Sequence, residues 1–198
     1  MRFRIIKLWI AGFVAVALAG GGCGDSASST PATTTIDFKS PAVNANGIIP
    51  PSHPCGGGAL WLPLEWGSVP SDTKELAIYI GRFRYDKAGG AKKLIVPFGE
   101  LISGIEPSLR QNPASVLPEG ASWSYFGVSC PPERSGQHVL QIIFALDRAR
   151  PESNLDKRLA TRLTEEALDH EWSNGNQRSP GSLTEDAVGI GQFTATFP

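Results

Sequence analysis

The sequence predicts a mainly β, loop-rich domain with one or two peripheral helices near the C-terminus. Three observations carry that expectation. The 198 residues include 16 prolines and 22 glycines, and the apolar runs between them are short, which suits strands and turns better than a helical bundle. Val139 to Leu146 is an almost unbroken apolar run with β-branched and aromatic members, so it reads as a strand buried on both faces. Helical periodicity appears late, at Leu155, Leu159, Leu163, Ala167, Leu168 and Trp172.

Residues 1–22 read as a targeting segment. Arg2, Arg4 and Lys7 form a positive start, and Leu8 to Leu18 is an apolar core short for a bilayer span. Ala19, Gly20, Gly21 and Gly22 then precede Cys23, the arrangement of a bacterial lipoprotein signal whose cysteine receives lipid. Lipoproteins usually carry Leu three residues before that cysteine, where this chain has Gly20. The competing reading is a plain secretory peptide cut near Ala19, which leaves Cys23 free. Residues 23–35 include DSASSTPATTT, too polar to offset its ordering entropy, and read as a flexible tether. Residues 36–198 then form one domain with a sizeable core. Export removes three of the 18 basic residues and none of the 19 acidic ones, leaving a net charge of −4. That balance argues against nucleic acid as a partner, and against holding an anionic membrane by charge.

Along the domain, Ile36 to Lys39 is a short strand stopped by Ser40-Pro41. Val69 to Thr73 is a turn, and Leu76 to Ile80 is a buried strand. Arg82 and Arg84 share a face if that strand continues; they read as solvated charges at its end, with binding of an anion as the alternative. Asp86 to Lys93 is a hairpin turn. Leu94 to Phe98 is a strand that Pro97 restricts to an edge or to a short length. Arg110 to Trp123 is a loop. The helix beginning at Leu155 should run about five turns, capped by Ser153 or Asn154. Ser182 and Glu185 have capping-box spacing for a second, short helix, and Gln192 to Phe197 alternates as a last strand.

The stretch Tyr125 to Asp147 joins a proline loop, Cys130-Pro131-Pro132, to the buried strand ending Ala145-Leu146-Asp147. Here the chain resembles the phosphatidylethanolamine-binding protein (PEBP) family, in its bacterial Raf-kinase-inhibitor-like form, whose loop reads G-Y-x-G-P-C-P-P before H-R-Y and a strand ending A-L-D. Further matches are Ser40-Pro41-Ala42, Ile49-Pro50, the run Cys55 to Trp66 against C-D-G-x-N-x-S-P-P-L-x-W, and Gly104-Ile105-Glu106-Pro107-Ser108-Leu109 against G-I-x-P-S-L. The resemblance implies a β-sandwich of antiparallel sheets with a pocket built from these loops. It places Cys55, Gly56, Gly57, Tyr125, Phe126, Cys130, Pro131, Pro132 and His138 at a ligand site. Two cysteines in an exported domain are often paired, and the resemblance makes the loops carrying Cys55 and Cys130 neighbours. A disulfide there would contribute about 4 kcal/mol, and two separately buried thiols are the alternative.

The departures concern the pocket. The family's aspartates of D-P-D-A-P are replaced around Gly81-Arg82, and its His-Trp histidine, which lines the pocket, corresponds to a place near Gly99-Glu100. Counting back from Ala145-Leu146-Asp147, the family's second histidine falls on Gln137, with His138 beside it. One residue of slack would restore His138 to the pocket, and without it His138 is a loop histidine. For the tyrosine of the loop, Phe126 and Tyr125 compete in the same way.

No catalytic constellation stands out. His53, His138 and His170 are scattered, no metal set forms, and Ser129-Cys130 has no recognisable base apart from His138. The expectation is a non-catalytic lipoprotein without a cofactor, anchored by lipid to the outer face of the bacterial cell membrane. It would bind a small anionic or lipid head group in a partly degenerate pocket. The alternative is a protein-interaction or inhibitor-type module with a vestigial pocket.

Overall fold

The computed structural model describes residues 33–50, 62–88, 91–112, 117–127, 137–149, 154–169 and 183–198. Cys23, Cys55, Gly56, Gly57, Cys130, Pro131 and Pro132 lie outside these residues, and with them the lipidation site, the Cys55–Cys130 pairing and the proline loop.

The chain forms a three-layer stack. In order, the elements are β1 (Thr34–Thr35), β2 (Phe38–Lys39), β3 (Leu64–Trp66), β4 (Glu75–Ala88), β5 (Ala91–Ile105), β6 (Gln111–Asn112), β7 (Ser122–Gly127), β8 (His138–Leu146), α1 (Lys157–Leu168) and β9 (Ala187–Thr196). The large sheet has the order β1-β9-β8-β4-β5-β7 and the small one β2-β3-β6. One face of the large sheet packs on the small sheet, joining Ile78, Ile80, Ile102 and Ile143 to Phe38, Leu64 and Trp66. The other face receives α1, joining Ala77, Tyr79, Leu101 and Phe144 to Ala160, Leu163 and Ala167. The apolar run of β8 therefore has a core on each side, as its sequence requires.

Several elements differ from the sequence reading, each for a local reason. The sheets are not wholly antiparallel, because β1 runs parallel to β9, with Thr34 opposite Gly189. β4 and β5 are one long hairpin that continues past Ile80 to Ala88 and Ala91. Pro97 sits inside β5 without breaking it. The register shifts between Arg82 and Arg84 beside it, so the missing donor falls at an irregularity of the β4–β5 ladder. Gly127 itself has φ 83°, and a Cβ there would strike the Pro97 carbonyl. α1 starts later than expected. Asp156, rather than Ser153 or Asn154, caps it, its carboxylate accepting from Leu159 N at 2.7 Å. Leu183 to Glu185 form a turn, so α1 is the single helix among the described residues.

The helix is tied to the sheet by a polar contact within the second core. Tyr79 is fully buried on β4, and its hydroxyl lies 3.0 Å from the Ala160 carbonyl and 2.9 Å from Thr164 Oγ1. Burial pushes its pKa well above the ordinary tyrosine value, and the hydrogen bond with Thr164 offsets part of the rise. Tyr79→Phe removes both contacts and should cost about 1–2 kcal/mol in urea unfolding, with an unchanged denaturant slope. The folded protein keeps this proton at pH values where the unfolded chain, titrating near about 10, releases it. Stability should therefore fall as pH rises above that value, and the fall should be shallower in Tyr79→Phe.

Candidate functional site

The inner face of the large sheet is apolar except at one end. Strand alternation puts Ile78, Ile80 and Arg82 of β4 on that face, alongside Ile102, Glu100 and Phe98 of β5 and Ile143, Gln141 and Val139 of β8. Ile80 lies opposite both Glu100 and Gln141, and Arg82 lies opposite both Phe98 and Val139. Arg82 is thus the diagonal neighbour of Glu100 on one side and of Gln141 on the other. Three polar side chains project into the space under the small sheet where the preceding rows are isoleucines.

Arg82 and Glu100 are buried, at 2% and 3% exposure. They line a cavity of about 10 Å³ with Phe98 and Phe197, closed by Ile49 and Leu62. The Arg82 guanidinium stands 5.4 Å from the ring centres of both Phe98 and Phe197, a cation held between two π-faces. This corrects the solvated reading of Arg82. Arg84 is the exposed one of the pair, 3.5 Å from Asp86. A cavity of this volume has room for about one water-sized group. Gln141 is 1% exposed, and neither its amide oxygen nor its nitrogen has a hydrogen-bond partner.

The described residues of the sequence-derived pocket set divide between the two faces. Tyr125 is opposite Glu100 and shares its face, at the outer strand of the sheet, where it is 57% exposed. Phe126 points the other way, covering Gly99 in the core that holds Leu155 and Ala160. His138 also faces away from the cavity. Its neighbour Val139 lines the cavity, and adjacent residues of a strand point to opposite faces. The His138 ring stacks on Phe83 at 5.1 Å, and Nδ1 lies 3.0 Å from Thr196 Oγ1. Gln137, two residues before Val139, is buried, and its carbonyl accepts from Phe197 N at 3.1 Å. Gln137, and not His138, is therefore the residue on the cavity side of this strand end.

Sequence reasoning located Glu100 and Arg82 as departures but did not bring them together. The available signal was alternation: a charge two residues from Ile80, and another two from Ile102, in strands whose other inward positions are apolar. Replacing Arg82 with Leu leaves a buried carboxylate without its neighbouring cation and should cost about 3–5 kcal/mol. Adding Glu100→Leu should recover part of that loss, with a coupling of about 1–3 kcal/mol in a double-mutant cycle read by urea unfolding.

No protein-family model matches the sequence. No curated protein matches it either. Solved structures do. A PEBP homolog from Chlamydia trachomatis D/UW-3/CX superposes with a TM-score of 0.54 at 16% identity, covering 84% of this chain and 99% of its own. YbcL of E. coli, described as a new member of the mammalian PEBP family, superposes with a TM-score of 0.51 at 17% identity, covering 82% of this chain and 97% of its own. Identities this low speak to architecture alone. With the sheet order, the three-layer packing and near-complete coverage of both structures, they establish that this chain has the PEBP fold.

Proposed function

We propose that this protein is a non-catalytic lipoprotein, held by lipid on Cys23 at the outer face of the cell membrane. Its domain binds a small ligand, an anionic or lipid head group, beside Arg82, with a single polar atom of that group entering the small cavity. The observation that carries the reading is the burial of Arg82 and Glu100 at one end of an otherwise apolar sandwich. Such a pair contributes little stability relative to well-packed apolar residues, so its presence needs a use other than holding the fold together. Desolvated charge next to aromatic faces suits recognition of a polar group. The two PEBP-fold structures are described as a phosphatidylethanolamine-binding protein homolog and a member of that family, which supports a head group as the ligand class.

A second reading has an observation of its own. Trp123 and Tyr125 stack at 4.9 Å on the outer strand β7 and are 46% and 57% exposed. With a cavity of only about 10 Å³, they favour a protein-interaction module whose pocket is vestigial.

Titration with sn-glycero-3-phosphoethanolamine separates the two. On the first reading it raises the Tm of the wild-type protein, and Arg82→Met abolishes the rise. On the second it changes nothing, and Trp123→Ser weakens capture of a partner instead. Cys23→Ser should release the protein from the membrane fraction, with loss of the acyl mass by mass spectrometry.

A further inference from the structure

We propose that the outer strand β7 pairs with β7 of a second copy of this chain, joining two large sheets edge to edge about a two-fold axis at Ser124. The dimer rests on the second reading above, for which it names the partner, and is independent of what enters the cavity.

The first support is the contrast between sheet edges. A terminal strand offers its backbone groups to other chains, and folded proteins blunt such strands by shortness, charge or proline. Among the described residues, the terminal strands β1, β2 and β6 are two residues long. The β4–β5 ribbon runs past Phe83 and Phe98, the last residues paired with β8 and β7, but its sequence carries Arg84, Asp86, Lys87, Lys92 and Lys93. β7 lacks these protections. It is six residues long, ends the large sheet, and lies in a segment, Gly120 to Cys130, with no charged residue and no proline.

The second support is exposure. Among the described residues, four of the five exposed large apolar side chains are Leu109, Leu117, Trp123 and Tyr125, which all fall between the end of β5 and the end of β7. Trp123 and Tyr125 stack on one another on the side of the sheet opposite to Phe126.

The third support is self-complementarity. The chain is net negative, so two copies meet most favourably through an uncharged segment. Antiparallel pairing centred on Ser124 sets Trp123 of each copy opposite Tyr125 of the other, the reciprocity that a closed two-fold interface requires. Centring the pairing on Trp123 or on Tyr125 instead would leave the remaining ring opposite Ala121 or Gly127. One strand and two rings make a smaller contact than the roughly 800 Å² per partner of a standard complex, so the dimer should dissociate in the micromolar range.

Sedimentation equilibrium of the full chain, in a detergent matched in density to the buffer, reads the protein mass alone. The wild type should rise from one copy toward two, and no further, as concentration increases. Trp123→Lys and Tyr125→Glu should each raise the dissociation constant roughly tenfold or more, with Tm unchanged because both side chains are exposed. Mixing the two variants should restore association. The register puts the new ammonium of one chain opposite the new carboxylate of the other, and the second aromatic pair stays intact. Trp123→Ser serves if the charged variants do not fold. A wild type that stays monomeric overturns the proposal, and if Trp123→Ser still weakens capture of another protein, the second reading stands with a different partner. Dimers that neither variant weakens place the contact elsewhere and overturn it. Variants that weaken association but do not recover on mixing exclude the Ser124 register and overturn it as well.

Discussion

Burial of β4 on both faces is the constraint from which the remaining structure follows. A central strand must satisfy two cores at once, and alternate residues of β4 go to different layers. Ala77 and Tyr79 meet the helix, while Ile78 and Ile80 meet the small sheet. The polar exceptions on this strand are informative because each is placed by that alternation. Tyr79 turns its hydroxyl to α1 and fixes the helix in position. Arg82 emerges on the opposite side, at the end of the sandwich, and creates the candidate site. A one-residue change of register in β4 would exchange the two, burying the arginine under the helix and taking the tyrosine away from it.

The legible part of the fold was the part dictated by apolar periodicity and by proline. Val139 to Leu146 stood out because a short, continuous run rich in β-branched and aromatic residues between polar loops suits a strand buried on both faces better than a helix. The late helix was visible from its apolar spacing, though its cap was not, since Ser153, Asn154 and Asp156 are all competent capping residues. The length of β4 and β5 was hidden. Arg82, Arg84 and Pro97 all read as strand ends in isolation, and only pairing across the hairpin shows that a register shift absorbs the proline. The parallel β1 was beyond reach, because a two-residue strand carries no periodicity and owes its position to β9, more than 150 residues away.

The candidate site was half legible for a related reason. Burial of a charge is a property of the layer above it, not of its own segment. From sequence, Arg82 has ordinary solvated neighbours. In the fold, Phe98 and Phe197, one from the next strand and one from the C-terminal end, enclose it. The histidine question shows the converse. Whether His138 faces the cavity turned on one residue of register, and Val139, which lines the cavity, shows that His138 faces away from it.

The pairing of β1 with β9 also fixes where the leading strand meets the large sheet. Thr34 enters beside Gly189, near the beginning of β9, whereas Phe197 at the cavity follows the end of that strand. Eight residues of extended chain separate the two levels, about 26 Å at strand spacing. The chain thus enters the domain at one end of β9 and the cavity lies at the other, so the entry point and the candidate site sit at opposite ends of the same strand.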